Sequence, residues 1–524
     1  MFLKIINNRI AILYLIPFFL GTISVFGFQP FNFSIINFVI LPILFSLIVF
    51  TRKKSKSIYR KKPYNLNLFL IGLTFGFGFF LSGIYWISYS LTFDESFKVF
   101  IPFAIVLIPL FLSTFFGLTT LLVGQHLKNN FQSILLFSAA LSLCDFIRGK
   151  IFTGFPWNVW AYSWSWFTEI LQSLNFFGLY AFNLLVITIF TMPVVMFFNF
   201  SNFKKLFFLS SIFLILSFAY IHGTFVINTN KALLNYIDQQ NKVYIKVISP
   251  NFKLKYNSSI KEIEQKIKKL ARYSEPNYQK TTLFIWPEGV FTGLNFKELL
   301  IFKKIIKDNF SKNHLIVFGI NTIDKNTDKY FNSLILVNNE LEILYQYNKK
   351  KLVPFGEHLP FKILLESIGF KKITEGHGTF LKGDKQKNIS FDKINILPLI
   401  CYEIIFPELT QSSSKKTNLI INISEDGWFG KSIGPHQHFA KAIFRAIENN
   451  SFLARSANQG VSAIISNKGK VIKKLQPNET GNIEMDIPLF QPNYKNKNDL
   501  IFFILLFTYL IIFLILRIKI NEKK

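Results

Sequence analysis

The sequence is poor in several residue types that mark common protein classes. Its 524 residues include only two cysteines, four methionines and seven histidines. Two cysteines cannot build the multiple-disulfide framework of small secreted domains. His436 and His438 lack an HExxH pattern or a neighbouring cysteine pair, so we expect no metal site. The sequence also lacks a glycine-rich phosphate loop, and we expect no cofactor.

Acidic residues are scarce too, with 30 against 59 lysines and arginines, and the formal net charge is +29. In a soluble chain this balance would raise the question of nucleic acid. Here many lysines are spread among Asn, Ile and Phe without a nucleic-acid-binding motif, so we expect no nucleic-acid partner. The clustered basic residues fit a role in membrane topology and contact with anionic lipid headgroups.

Apolar residues are abundant: half of the chain is hydrophobic, 64 residues are Phe, and the mean hydropathy is +0.33. A helix that crosses a ~30 Å hydrocarbon layer needs about 17 to 25 predominantly apolar residues. Eight windows of roughly this length carry few charges, which predicts a multi-pass α-helical membrane domain of about eight spans. The windows are 10–28, 34–50, 67–90, 100–124, 132–147, 175–198, 205–224 and 499–517.

The short loops predict an orientation, because Lys and Arg are retained on the cytoplasmic side. The segment 51–65 is rich in Lys and Arg, whereas 29–33 is uncharged. Counting spans from an inside 51–65 loop places both termini inside and 225–498 outside. We interpret the first apolar segment as a retained anchor, since its apolar run is longer than that of a usual signal peptide and is followed closely by another span.

A second region, between the last two apolar windows, predicts an α/β domain. Its strand-like runs are apolar on both faces, as in sheets that are covered on both sides. Amphipathic helices at 258–273 and 436–450 lie between or after them. We therefore predict an N-terminal membrane domain at 1–240, a catalytic domain at 241–490 and a C-terminal span and tail at 491–524. The strand-like runs are 243–249, 281–285, 314–320, 331–337, 394–400 and 419–423.

Three residues of this domain suggest acyl transfer. Cys401 ends a strand-like run, Glu288 follows another in Trp-Pro-Glu-Gly, and Lys349 opens Lys-Lys-Lys-Leu-Val-Pro-Phe-Gly-Glu. A lone cysteine after an apolar strand is more often a small buried hydrophobe than a nucleophile. A glutamate can take the thiol proton, however, and a lysine can lower the thiol pKa and face a developing oxyanion.

Longer motifs extend this pattern across nearly the whole chain. The chain resembles the apolipoprotein N-acyltransferase family, a membrane-bound branch of the nitrilase superfamily, in which Glu, Lys and Cys occur in this order. The resemblance implies the α-β-β-α sandwich of nitrilases for the second domain. The motifs that carry it are Thr153-Gly-Phe-Pro-Trp-Asn158, Leu352-Val-Pro-Phe-Gly-Glu357, Cys401-Tyr-Glu403, Asp426-Gly-Trp-Phe-Gly430 and Arg445-Ala-Ile-Glu-Asn449.

The resemblance also implies roles for these residues. Glu288, Lys349 and Cys401 match the catalytic triad, and the spacing from Tyr347 to Leu352 selects Lys349 rather than either lysine after it. Glu357 matches a second carboxylate, which would support the thiol or the acyl intermediate, or form an ion pair with Lys349. For Tyr402 and Glu403, beside the nucleophile, structural support and direct chemistry both remain open.

The implied reaction moves an acyl chain from a glycerophospholipid, through a Cys401 thioester, to the α-amine of the N-terminal S-diacylglyceryl-cysteine of apolipoproteins. It predicts ping-pong kinetics and a bacterial inner-membrane enzyme whose catalytic domain faces the periplasm. One alternative is a membrane-tethered nitrilase-type amidase that acts on a small carbon–nitrogen substrate. Another is a non-catalytic lipid-binding protein. A tethered amidase would need only one span, whereas seven are predicted before the domain. The presence of Glu288, Lys349 and Cys401 argues against a non-catalytic protein.

Two further residues are candidate substrate contacts. Tyr256 follows Ser249-Pro-Asn251 at a shorter spacing than the family's tryptophan, which makes it a weak candidate. Arg148 lies at the outer end of a span, before five Trp and Tyr residues at 157–166, so we expect either interfacial anchoring by these rings or phospholipid phosphate held by Arg148.

Two remaining features bear on the shape of the site. The apolar segment Leu359–Phe370 is either a membrane-dipping lid or buried packing. Glu425, where the family has Asn, and Asp145, where it has Glu, are departures that put the details of the pocket in doubt.

Overall fold

The computed structural model describes residues 8–54, 64–238, 241–255, 258–359, 379–384, 388–391, 393–411, 417–490 and 499–522. The chain divides into two compact units. The membrane unit consists of Met1–Tyr89, Val99–Phe225 and Lys497–Lys524, and the α/β unit consists of Ser90–Lys98 and Val226–Asn496. The sequence analysis included Ser90–Lys98 in the membrane domain, between two apolar windows, and the predicted boundaries at 240 and 490 stay a prediction.

Long apolar helices form the membrane unit. Within the described residues, seven helices are long and apolar enough to cross a membrane, and a shorter apolar helix covers Ala11–Gly27. Together they coincide with the eight windows predicted from the sequence, which confirms a multi-pass helical domain. The seven are Ser34–Lys54, Asn65–Phe93, Glu95–Gly124, Phe131–Lys150, Leu174–Phe197, Asn202–Asn235 and Leu500–Ile518.

Glycines allow some of these helices to approach closely. A Cβ atom on Gly78 would lie 2.1 Å from the carbonyl oxygen of Phe18, and one on Gly72 would lie 2.4 Å from that of Phe116. Helices in lipid gain little from hydrophobic burial and pack instead through small residues that bring backbones together. The Asn65–Ile84 helix is therefore held against two neighbours by the absence of side chains at these points.

Two six-stranded sheets form the framework of the α/β unit. One has the order β12-β1-β2-β3-β4-β5 and the other β11-β10-β9-β8-β7-β6. In each sheet three neighbouring strands are parallel, β1-β2-β3 and β7-β8-β9. The strands are β1 Lys242–Ser249, β2 Thr282–Ile285, β3 His314–Ile323, β4 Tyr330–Val337, β5 Ile343–Asn348, β6 Ile389–Phe391, β7 Ile394–Ile400, β8 Leu419–Glu425, β9 Phe452–Asn458, β10 Ser462–Ile465, β11 Val471–Leu475 and β12 Gly481–Pro488.

Successive side chains along a strand point to opposite faces of the sheet and so belong to different cores. On β2, Leu283 and Ile285 enter a core shared with β7 and β8, whereas Phe284 enters a core shared with the Ile260–Ser274 helix. This is the period-two pattern of a sheet that is covered on both faces. With Gly434–Asn449 also packed against strands, the layers confirm the predicted α-β-β-α sandwich. The remaining helices of the unit are Phe296–Leu299, Lys303–Asn309 and Pro407–Gln411.

Candidate active site

The three predicted catalytic residues follow the carboxyl ends of three strands. Glu288 comes three residues after β2, Lys349 directly follows β5, and Cys401 directly follows β7. Because β7 and β8 are parallel, with Ile400 opposite Ile423, the residues after both strands share one edge of the sheet. The backbone N–H of Glu425, at the end of β8, donates to Glu288 Oε2 at 3.2 Å. Glu288 therefore reaches the edge that carries Cys401.

Cys401 occupies a sharp turn. It is buried, with 8% exposure, and its φ of +48° is uncommon for a residue with a Cβ atom. A left-handed conformation of this kind costs of order 1–3 kcal/mol and persists only where the surroundings impose it. A 3-10 turn, Cys401–Ile405, starts at this residue. The chain therefore turns sharply at Cys401, directly after β7.

Lys349 is the centre of a buried charge cluster. Its Nζ lies 3.3 Å from Glu288 Oε1 and 2.9 Å from Glu357 Oε1, so the ion pair expected with Glu357 is present. The amide Nδ2 of Asn332 donates to the same two oxygens, at 2.8 and 2.6 Å. The backbone N–H of Val353 donates to Glu357 Oε2 at 2.8 Å. The ammonium and the amide thus hold two carboxylates in fixed positions.

The charges of this cluster act on the thiol. Burial raises the pKa of Cys401 far above its usual value, the carboxylate of Glu288 raises it further, and Lys349 opposes both. Burial lowers the pKa of Lys349, but Glu288 and Glu357 outweigh burial and raise it, so the lysine is an ammonium at neutral pH. A protonated thiol beside a carboxylate and an ammonium is the arrangement that proton transfer during nucleophilic attack requires.

Glu403 connects the turn that begins at Cys401 to the chain after Lys349. Its Oε1 accepts the Tyr347 hydroxyl at 2.8 Å and the backbone N–H groups of Lys350 and Lys351, and its Oε2 accepts the N–H of Ile400. Both carboxylate oxygens of Glu403 therefore accept hydrogen bonds from backbone N–H groups. These contacts favour the supporting role for Glu403. The Tyr402 ring lies edge-on to that of Phe406, at 5.0 Å between centroids.

A second buried network surrounds Asp426, close to the turn that begins at Cys401. Ser424 Oγ donates to Asp426 Oδ1 at 2.7 Å, and Arg455 Nη2 contacts both carboxylate oxygens at 3.0 and 2.8 Å. Burial raises the pKa of Asp426, but Arg455, His438 and the hydrogen bond from Ser424 together outweigh burial, and the pKa falls below the usual range. Beside this network, Glu425 accepts from the backbone N–H of Gly427 and from Asn458, and burial raises its pKa.

Two regions of the chain each match a family model. Residues 249–491 match carbon-nitrogen hydrolase, and residues 20–192 match the apolipoprotein N-acyltransferase N-terminal domain. The chain is 33% identical over 455 residues to an apolipoprotein N-acyltransferase of Rickettsia prowazekii, an alignment that covers 86% of this chain and 89% of that one. The chain belongs to the apolipoprotein N-acyltransferase family.

The chain is also similar, at lower identity, to a second relative and to a solved structure. The apolipoprotein N-acyltransferase of Rhodopseudomonas palustris is 30% identical over 482 residues, which cover 89% of this chain and 88% of that one. Among solved structures, a Saccharomyces cerevisiae member of branch 10 of the nitrilase superfamily is similar with a TM-score of 0.34 and 18% identity, covering 47% of this chain and 90% of that one.

In this member of the apolipoprotein N-acyltransferase family, Arg148 is buried in the membrane unit and forms hydrogen bonds with other residues of that unit. Its guanidinium contacts Asp145 Oδ1 at 2.8 Å and the carbonyl oxygens of Phe155 and Trp157. Asn183 donates to the other oxygen of Asp145 at 3.0 Å. These contacts favour a role in fixing the chain after the Phe131–Lys150 helix, and the phosphate contact stays a prediction.

The predicted interfacial belt requires a correction. Of the five aromatic residues, only Trp166 is largely exposed, at 45%. The other four are at most 7% exposed, because their rings pack within the membrane unit; the Trp160 ring, for example, stacks on those of Phe75 and Phe79. The buried four are Trp157, Trp160, Tyr162 and Trp164.

Two predictions fall largely outside the described residues. Tyr256 lies outside them, and so does 360–370, which is all of the proposed lid except Leu359. Two residues of the site were missed in the sequence. Asn332 lies inside β4 and His438 was considered only for metal spacing, yet Asn332 touches two site carboxylates and His438 touches the backbone of Cys401. Asn332 could have been found in the sequence because it is a polar residue within a predicted apolar strand.

Proposed function

We propose that this member of the apolipoprotein N-acyltransferase family transfers an acyl chain from a glycerophospholipid to the α-amine of an N-terminal S-diacylglyceryl-cysteine. The relatives' names supply the lipoprotein acceptor. The observation that carries the mechanism is the charge cluster: Lys349 is held between Glu288 and Glu357, close enough to Cys401 for Lys349 and Glu288 to shift the thiol pKa.

In the first half-reaction, Cys401 Sγ attacks the ester carbonyl while Glu288 accepts the thiol proton. The ammonium of Lys349 stabilises the oxyanion, together with backbone N–H at the turn after the nucleophile. When the tetrahedral intermediate collapses, the carbon–oxygen bond breaks. The leaving alkoxide takes the proton from Glu288 and departs as lysophospholipid, so the acyl chain remains on Cys401 as a thioester.

In the second half-reaction, the α-amine of the lipoprotein attacks the thioester. Glu288 accepts a proton from the attacking nitrogen and returns it to the departing sulfur, which restores the thiol and leaves an amide. Because both half-reactions use one site in turn, the mechanism is ping-pong. Glu357 and Asn332 act by holding Glu288 and Lys349 in place.

The membrane unit fits this chemistry because donor and acceptor both reside in a bilayer leaflet. We place the enzyme in the bacterial inner membrane, with residues 225–498 on the periplasmic side, from the distribution of Lys and Arg in the loops.

The test is mass spectrometry of the purified enzyme after incubation with phospholipid alone. Wild type is expected to carry an acyl adduct on the peptide that contains Cys401, and neutral hydroxylamine should remove it. Cys401→Ala should carry none, and Cys144→Ala should behave as wild type. An unmodified wild-type enzyme with intact phospholipid would overturn the proposal. Release of ammonia from small amides by the same preparation would then favour the amidase.

A further inference from the structure

His438 is buried on the Gly434–Asn449 helix and touches the nucleophile turn. Its Nε2 lies 3.2 Å from the carbonyl oxygen of Cys401. Its Nδ1 lies 3.0 Å from Asp426 Oδ1 and 3.0 Å from Arg455 Nη2. The side chain is fully buried, and the Phe429 ring packs edge-on against it at 5.3 Å. One imidazole therefore connects the Asp426 network to the backbone of Cys401.

The protonation state of His438 follows from its surroundings. Burial lowers its pKa to about 4, and the Asp426 carboxylate only partly opposes this, so the ring is neutral at neutral pH. A neutral imidazole has one N–H donor and one acceptor nitrogen. Asp426 already accepts from Ser424 and Arg455, and does not need a third donor.

The contacts distinguish the two tautomers. With the proton on Nδ1, the Nε2 lone pair would face the carbonyl oxygen of Cys401, and two acceptors would oppose each other at 3.2 Å. With the proton on Nε2, the ring donates to Cys401, and Nδ1 accepts from Arg455 Nη2. The second tautomer satisfies both contacts and leaves the Nδ1 lone pair 3.0 Å from Asp426 Oδ1. Arg455 Nη2 lies 3.0 Å from each of these two atoms and offsets their repulsion, because it can donate to both.

We propose that His438 is a positioning residue for the nucleophile, which donates from Nε2–H to the carbonyl oxygen of Cys401 and holds the turn in its left-handed conformation. This role rests on the proposed function. In a trans peptide the C=O of one residue and the N–H of the next point in opposite directions. His438 therefore also sets the direction of the Tyr402 N–H, which belongs to the same peptide group as the Cys401 carbonyl.

Two amide substitutions separate the two contacts of the ring. In His438→Gln the side-chain amide reaches the position of Nε2 and can still donate to Cys401. In His438→Asn the shorter amide occupies the position of Nδ1, and can contact Arg455 and Asp426 but not Cys401. Both remove the ring and its packing against Phe429, so each serves as the structural control for the other.

The measurement is the single-turnover rate of Cys401 acylation as a function of phospholipid concentration, alongside a thermal melt. We expect the maximal rate of His438→Asn to fall by about 100-fold, the order that misplacement of a reacting group costs, with half-saturation unchanged. His438→Gln should recover at least a tenth of the wild-type rate. Equal rates in the two variants, or a wild-type rate in His438→Asn, would overturn the inference. Failure of wild type to be acylated would overturn the proposed function itself.

A second measurement uses the wild-type protein and does not depend on the folding of a variant. His438-Phe439 is the only His-Phe pair in the sequence, so carbonyl-labelled histidine and amide-labelled phenylalanine select its signals in solid-state NMR. With 15N-labelled imidazole, we expect the shifts of a neutral ring protonated on Nε2 at pH 7. A ring protonated on Nδ1, or a charged imidazolium, would overturn the inference.

Discussion

At the residue scale, the ammonium of Lys349 is shared by Glu288 and Glu357, and the thiol of Cys401 lies beside this cluster. The free energy of the site is therefore a balance between burial, which favours the neutral thiol, and a cation that favours the thiolate. Glu288 and Glu357 each accept a hydrogen bond from a donor besides Lys349. A substitution at any one of these residues therefore alters the electrostatic environment of the others.

Glu288→Gln should change two reactions of Cys401 in opposite directions. Loss of the carboxylate charge lowers the thiol pKa, so alkylation by iodoacetamide at pH 8 should become faster, and its rise with pH should shift to lower pH. Loss of the base should slow acylation by phospholipid by about 10²- to 10⁴-fold. Wild-type alkylation should still be rising at pH 9, because its thiol pKa is raised.

The control for this experiment is Glu264→Gln, which removes a carboxylate paired with Lys268 on a solvent-facing helix surface. It should leave both rates at wild-type values. An alkylation profile for Glu288→Gln that is unchanged, or shifted to higher pH, would contradict the proposed electrostatic coupling.

Asn332→Asp should be more harmful than Asn332→Ala. Alanine removes one amide that donates to two carboxylates, and we expect acylation to slow by about tenfold, since a hydrogen bond to a charged group contributes about 1.5–3 kcal/mol. Aspartate has nearly the same size but adds a third negative charge beside Lys349, so its rate should fall at least tenfold further. Single-turnover acylation measures both.

Asn338→Asp, in a turn where the amide donates to Glu342, is the matched control and should retain the wild-type rate. If Asn332→Asp were as active as Asn332→Ala, the carboxylate-holding role of Asn332 would be wrong.

At the scale of elements, the site depends on strand ends that meet at one edge, and the membrane unit depends on close helix contacts. The run before Cys401 was predicted as Ile394–Ile400 and is β7 with the same bounds, because a strand buried on both faces is a continuous apolar run. β5 and β9 were not predicted. Three of the six residues of β5 are exposed, and β9 carries the buried charge of Arg455, so neither strand shows that pattern.

Gly78→Ala tests the close helix contact. The added Cβ would lie 2.1 Å from the Phe18 carbonyl oxygen, so the helices must move apart, and overpacking of this kind costs about 1–3 kcal/mol. We expect a lower midpoint of thermal unfolding in detergent. Leu122→Ala, at a residue that is 64% exposed, should leave the midpoint near that of wild type. Equal midpoints for the two variants would contradict the packing argument.

At the scale of the whole molecule, the distribution of basic residues predicts which parts of the chain face each side of the membrane. In a background with Cys144→Ala and Cys401→Ala, a cysteine at the exposed Gln265 should react with a membrane-impermeant maleimide in intact spheroplasts. A cysteine at the exposed Lys53 should react only after the cells are opened. The reverse pattern would show that the predicted orientation is wrong, because the number of spans before residue 225 would then be even.

The sequence by itself determined the eight apolar segments, the six strands that are apolar on both faces, and the order of Glu288, Lys349 and Cys401. These are local properties, since membrane spans, doubly covered strands and motifs can each be recognised within one stretch of chain. Only the tertiary structure decided that Asn332 donates to two carboxylates, that Glu403 holds the turn at Cys401, and that His438 contacts Cys401. It also decided that four aromatic rings after Arg148 are buried. These contacts join residues that are distant in sequence, and the partner of a buried polar group depends on how the strands and helices pack.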